Sequence, residues 1–149
     1  MMATPLVVSE VAKSFTMHLR DAVKIAVVEQ VSFSLTAGQC AVLGGPSGAG
    51  KSSILKMLYG NYGVDTGQII VEHRGAFMDI ARASAREVLA VRLETMGYVS
   101  QFLRVVPRVS ALDVVAEPLT LRGEDAAVAR EKAMELLSRL NLPERLWDL

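Results

Sequence analysis

Gly45-Pro46-Ser47-Gly48-Ala49-Gly50-Lys51-Ser52 is the stretch that decides how this chain is read. It matches the pattern G-x-x-x-x-G-K-[ST]. At average residue frequencies such a match arises about 4 times in 100,000 starting positions, or in roughly one random chain of this length in 200. The residue types have a physical logic. Glycines let the backbone curl until consecutive N–H groups point inward, an arrangement that suits a phosphate. A helix beginning where the loop ends adds the positive end of its dipole. Lys51 offers a compact charge to β- and γ-phosphates, and Ser52 offers a hydroxyl to Mg²⁺. Ser53 follows in the first helical turn, placed for one more contact.

The flanks agree with a strand–loop–helix unit. Cys40-Ala41-Val42-Leu43 is a short apolar run without polar alternation, which reads as a strand buried on both faces, with Cys40 a small buried residue in it. Residues 51–59 read as a helix with Ile54, Leu55 and Leu58 on one face, ended by Gly60. Upstream, residues 6–11, 25–28 and 31–35 are apolar strand candidates, and Thr36-Ala37-Gly38 is a turn. Downstream, 67–72 reads as a strand, 79–94 as a helix and Gly97-Tyr98-Val99 as a strand ending at Ser100-Gln101. Ser110-Ala111-Leu112-Asp113 has the form of a capping box, and Pro118 is expected to kink or end the helix that follows. A last helix over 125–140 carries Ala133, Leu136, Leu137 and Leu140 as its core stripe, with 129–132 as its wet face.

Composition narrows the class. The chain has 149 residues, 51% of them hydrophobic, enough for one domain with a buried core. Its 16 basic and 16 acidic residues cancel, so no basic excess points to nucleic acid. No apolar run approaches the roughly 18 residues of a membrane span, and the first 15 residues show no signal-peptide pattern, so a cytoplasmic protein without a transmembrane segment is expected. One cysteine cannot form an internal disulfide. His18 and His73 lack metal-ligand spacing and read as surface residues in turns.

The glycine loop defines a superfamily rather than a function. Small P-loop kinases usually carry the loop near the N-terminus, whereas here about 40 mostly strand-forming residues precede it. Gln101, at the end of a strand candidate, lies 50 residues after Lys51. Leading strands, loop, and strand with a terminal glutamine, in that order, resemble the nucleotide-binding domain of ABC ATPases. The fold that resemblance implies is α/β, a P-loop NTPase of the ABC type with an antiparallel β-subdomain and a RecA-like core, residues 1–149 forming part of a single nucleotide-binding domain. It also implies ATP and Mg²⁺ as ligands, held by Gly45, Pro46, Ser47, Gly48, Ala49, Gly50, Lys51, Ser52 and Ser53. Gln101 then senses the metal and the attacking water. Phe15, in Val11-Ala12-Lys13-Ser14-Phe15, falls at the position of the aromatic that stacks on adenine, and reads equally as a core residue at a strand end.

A closer resemblance lies in residues 97–112, Gly97-Tyr98-Val99-Ser100-Gln101-Phe102-Leu103-Arg104-Val105-Val106-Pro107-Arg108-Val109-Ser110-Ala111-Leu112. With Leu58-Tyr59-Gly60-Asn61-Tyr62 and residues 140–147, this run resembles the PhnL family, the ABC-type subunits of the bacterial carbon–phosphorus lyase system. That resemblance implies a role in phosphonate use, in the complex that forms ribose 1-phosphonate 5-triphosphate from ATP. It also implies soluble lyase subunits and a second ABC ATPase subunit, in a homo- or heterodimer, as partners. The alternatives are the ATPase of a membrane transporter of the lipoprotein-release type, a small-molecule P-loop kinase, and a non-hydrolytic regulatory module.

No apolar strand ending in Asp-Glu follows Gln101, and no Ser-Gly-Gly follows Trp147. The signature motif and the Walker B strand with its catalytic glutamate are therefore expected further on, in a longer protein. The expectation for these 149 residues is nucleotide binding with little hydrolysis.

Overall fold

The computed structural model of the protein describes residues 4–17, 23–100 and 107–149. They divide between two compact units, Met1–Thr95 and Met96–Leu149. The first holds β1 (Leu6–Met17), β2 (Val23–Leu35), α1 (Lys51–Leu58), β3 (Thr66–His73), β4 (Ala76–Asp79) and α2 (Ala85–Glu94). Its strands form one sheet in the order β2-β1-β3-β4, every neighbouring pair antiparallel. Leu6 and Val8 on β1, and Ile69 and Val71 on β3, turn alternate side chains into the core, as a period of two requires. Ile54 and Met57 of α1, Ile80 and Val91 of α2 are buried as well.

The stretches 25–28 and 31–35, read separately from the sequence, are one strand interrupted by bulges. Gln30 on β2 and Glu10 on β1 both have φ 49°, and the β1–β2 register shifts between Val8 and Val11. There the Glu10 N–H donates to Ser32 Oγ at 2.8 Å instead of to the ladder. The bulge explains Gly67 on β3. With φ 91°, a Cβ at that position would stand 2.5 Å from the carbonyl oxygens of Ser9 and Glu10. β4 was not visible in the sequence; Asp79 fixes it, its Oδ1 accepting from the N–H groups of Ile69 and Ala81.

Several sequence expectations are corrected here. Residues 40–43 are not a strand; Cys40 is exposed and Val42 is 87% exposed. A turn closed by Gln39 N–H on Thr36 O takes the chain off the end of β2, and among the described residues no strand pairs with 40–43 to receive its backbone groups. Residues 97–99 likewise have no ladder. Leu55, assigned to the core face of α1, is exposed, and Met57 takes its place. His73 is buried rather than on a turn, because it continues the inward series of Ile69 and Val71; its Nδ1 lies 2.7 Å from Thr95 Oγ1. His18 lies outside the described residues. The helix expected from residue 79 begins at Ala85, where Ser84 and Glu87 form a reciprocal capping box.

The second unit is a helical hairpin of α3 (Ala111–Leu121) and α4 (Ala126–Arg139), followed by a short turn of 3₁₀ helix at Glu144–Leu146. Ser110 and Asp125 cap the two helices with their side chains. Leu112, Ala116, Ala129, Ala133 and Leu137 are its buried core, with Leu142 and Trp147 packed on it. The small Ala129 and Ala133 permit close approach of the helices. That rotates the expected stripe: Leu136 and Leu140 are exposed. Pro118 sits inside α3, which runs on to Leu121 rather than ending there. No helix among the described residues is long and apolar enough to cross a membrane.

Candidate functional site

The glycine loop has the backbone that its sequence requires. Gly45, Gly48 and Gly50 take φ of 136°, 84° and 83°, all in the left-handed half of conformational space that glycine alone enters freely. Gly50 serves twice. It is the N-cap of α1, its carbonyl accepting the Ile54 N–H at 2.9 Å, and it presses against β2 so closely that a Cβ would lie 2.4 Å from Val27 O. Thus β2 supports the loop at the point where it becomes helix. No side chain caps α1, so its first-turn N–H groups face outward from the helix end without an intrahelical partner.

These groups open on a hollow of about 320 Å³ lined by Val27 and residues 47–53. The Lys51 ammonium reaches back across the loop, donating to Gly45 O at 2.8 Å and Pro46 O at 2.6 Å. Two of its three donors are thereby used, and the third remains for an anion in the loop. Ser47 and Ser52 are exposed and Ser53 half-buried. Curled backbone, helix end and ammonium converge on one place, a donor set that fits a phosphate chain and repels no anion. No cluster of three or more His, Cys, Asp or Glu side chains suited to a metal occurs among the described residues; a hydroxyl such as that of Ser52 completes its metal shell with phosphate oxygens instead.

Phe15 is half-buried near the end of β1, paired with Ile25 across the β1–β2 ladder. Its ring meets that of Tyr62 edge-on, centroids 5.3 Å apart. Just before it, Asp65 accepts from Ser14 Oγ (2.6 Å), Ser14 N–H (2.8 Å) and Lys13 Nζ (3.0 Å). The Ser14 hydroxyl and the Lys13 ammonium hold the Asp65 carboxyl well below the usual carboxylate range. Tyr62, Asp65 and Lys13 were not singled out in the sequence. Gln101 lies outside the described residues.

Comparison with known proteins places the chain among relatives. A family model described as ABC transporter matches residues 28–148. The lipoprotein-releasing system ATP-binding protein LolD 2 of Caulobacter vibrioides is 37% identical over 126 residues, 85% of this chain and 54% of that protein. LolD of Novosphingobium aromaticivorans is 34% identical over 146 residues, 97% of this chain and 62% of the relative. The chain thus spans just over half the length of the curated relatives it matches. Among solved structures, a dimeric post-hydrolysis state of the ATP-binding cassette MJ0796 bound to ADP and Pi superposes with a TM-score of 0.81. It is 23% identical, and the match covers 96% of this chain and 60% of that one.

Proposed function

The chain belongs to the ABC transporter family and has the ATP-binding cassette fold, and we propose that it binds Mg-ATP through the loop at residues 45–52. The observation that carries this reading is the loop itself, three left-handed glycines and Lys51 gathered at the uncapped start of α1. In this reading the N–H groups of residues 48–53 and the Lys51 ammonium hold the β- and γ-phosphates, and Ser52 with Gln101 holds the metal. A Mg²⁺ ion held there would supply positive charge to the phosphate oxygens. Phe15 stacks on adenine. A family match that runs through both units supports assigning residues 1–149 to the N-terminal part of one nucleotide-binding domain, and we place it in the cytoplasm. Replacing Lys51 with alanine removes the loop's only full charge and weakens Mg-ATP binding by about tenfold or more. Calorimetric titration checks this, and an unchanged affinity would overturn the assignment.

The partner has two readings. The names of the LolD relatives support an ATPase subunit that drives a membrane permease of the lipoprotein-release type. The runs at residues 58–62, 97–112 and 140–147 support instead a subunit of the soluble carbon–phosphorus lyase complex for phosphonate use. Either way the cassette works with a second ABC subunit, identical or not. Affinity purification from a native host separates the two: a permease in the membrane fraction favours the first, a soluble multi-subunit complex the second.

A further inference from the structure

The residues around Phe15 form a built corner rather than an isolated ring. Asp65 ties down the two residues before it: besides its bonds to Lys13 and Ser14, its own N–H donates to Ala12 O at 2.9 Å. The backbone leading to Phe15 is thereby fixed to the loop between α1 and β3. Tyr62, in that same loop, meets the Phe15 ring at 73°, the edge-on geometry that aromatic quadrupoles favour. Tyr62 is in turn held by Lys56 of α1. The Tyr62 N–H donates to Lys56 O at 3.2 Å, the Lys56 ammonium donates to the Tyr62 hydroxyl at 3.3 Å, and it stands 5.1 Å from the centre of the tyrosine ring. Lys56 lies in the last turn of the helix whose first residue is Lys51.

One helix therefore presents the phosphate loop at its start and braces the aromatic corner at its end. We propose that Tyr62 is a positioning residue for nucleotide binding: with Lys56 behind it, it sets the Phe15 ring in the orientation that receives the purine and keeps that ring in register with the phosphate loop. This rests on the reading of Phe15 as the adenine-stacking residue. Tyr62 touches Phe15, and acts on the base through it.

The test compares affinities of the chain for Mg-ATP and for inorganic triphosphate, which has no base. Tyr62→Ala weakens ATP binding about two- to tenfold, the worth of one edge-on aromatic pair, and leaves triphosphate binding unchanged. Tyr62→Phe keeps the ring and restores ATP affinity to within about twofold of the parent. In a Phe15→Ala background, Tyr62→Ala has no further effect, since the ring it positions is gone. Equal losses for ATP and triphosphate, or an undiminished effect of Tyr62→Ala without Phe15, would overturn the proposal. So would unaltered ATP affinity in Tyr62→Ala while Phe15→Ala alone is selectively weakened for ATP, an outcome that leaves the stacking role of Phe15 standing. If Phe15→Ala itself shows no selective loss of ATP, the stacking reading fails, and this inference with it.

Discussion

The loop at residues 45–52 puts most of its binding groups on the backbone, with Lys51 and Ser52 as its side-chain additions, and glycines give that backbone its path. The corner around Phe15 offers side chains instead, two rings, two ammonium groups, a carboxylate and a hydroxyl drawn from β1, α1 and the loop after α1, with backbone bonds tying those segments together. The first is contiguous in sequence; the second joins Ser14 to Asp65 across 51 residues. The difference predicts how each tolerates change. A backbone site fails when its conformation is blocked, whatever the ligand, whereas a side-chain site fails group by group and only for ligands that use the group.

The largest effect is expected where the loop meets β2. Gly50→Ala puts a methyl group 2.4 Å from Val27 O at a φ of 83°, so one of the two backbones must shift. The left-handed strain alone costs about 1–2 kcal/mol, and the overlap adds to it. Gly48→Ala has nearly the same φ, 84°, but its methyl group meets nothing within 4 Å, so only the strain of about 1–2 kcal/mol remains. Thermal denaturation of the two variants should rank Gly50→Ala clearly below Gly48→Ala. Equal stabilities would show that the contact with β2 does not hold the loop.

Phe15→Ala sharpens the comparison from the other side. If the ring stacks on adenine, its loss weakens Mg-ATP binding by about 1–3 kcal/mol, on the scale of base–aromatic stacking, and leaves inorganic triphosphate untouched. Lys51→Ala weakens both. Titrations of the two variants with the two ligands therefore form a cross, and a Phe15→Ala variant that loses both ligands equally marks Phe15 as a strand-end packing residue instead.

How far the sequence reaches follows the same division. Eight consecutive residues specify the phosphate loop because its geometry is local, set by glycine conformations and by the helix that starts at Lys51. Apolar runs marked β1, β3 and the two halves of β2, though not β4 or the pairing, and Ser110 and Asp125 marked the starts of α3 and α4. Residues 40–43 were misread because an apolar run becomes a strand only when a neighbour completes its ladder, and the run itself carries no information about neighbours. His73 was legible in principle, since it shares the parity of Ile69 and Val71, as was the capping pattern Ser84-Ala85-Arg86-Glu87. Tyr62 and Asp65 left no such trace. Their meaning arises only when β3 turns back along β1 and brings 62 and 65 against 13–15.

The smallest effect concerns the clamp beneath Phe15 and depends on pH. The Ser14 hydroxyl, then Lys13, hold the Asp65 carboxyl below its ordinary value of 3.8 in the folded chain. A carboxylate whose folded value is depressed contributes stability that is fully present above the unfolded value and is lost as pH falls through the folded one. The contribution is therefore constant near neutrality and begins to fade below about pH 4. Asp65 is about a third exposed, so water and salt screen the charge and its effect is modest beside those of Gly50 and Phe15. Asp65→Asn keeps the shape and removes the charge. Its melting temperature should lie below that of the parent at pH 7, and the gap should narrow steadily as the pH is taken from 4 toward 2. Glu87, lowered in the same direction by Ser84, titrates alike in both proteins and cancels from the difference. A gap that stays constant down to pH 2 would mean that the ionised carboxylate adds nothing beyond its shape, and that the corner stands on its aromatic contacts alone.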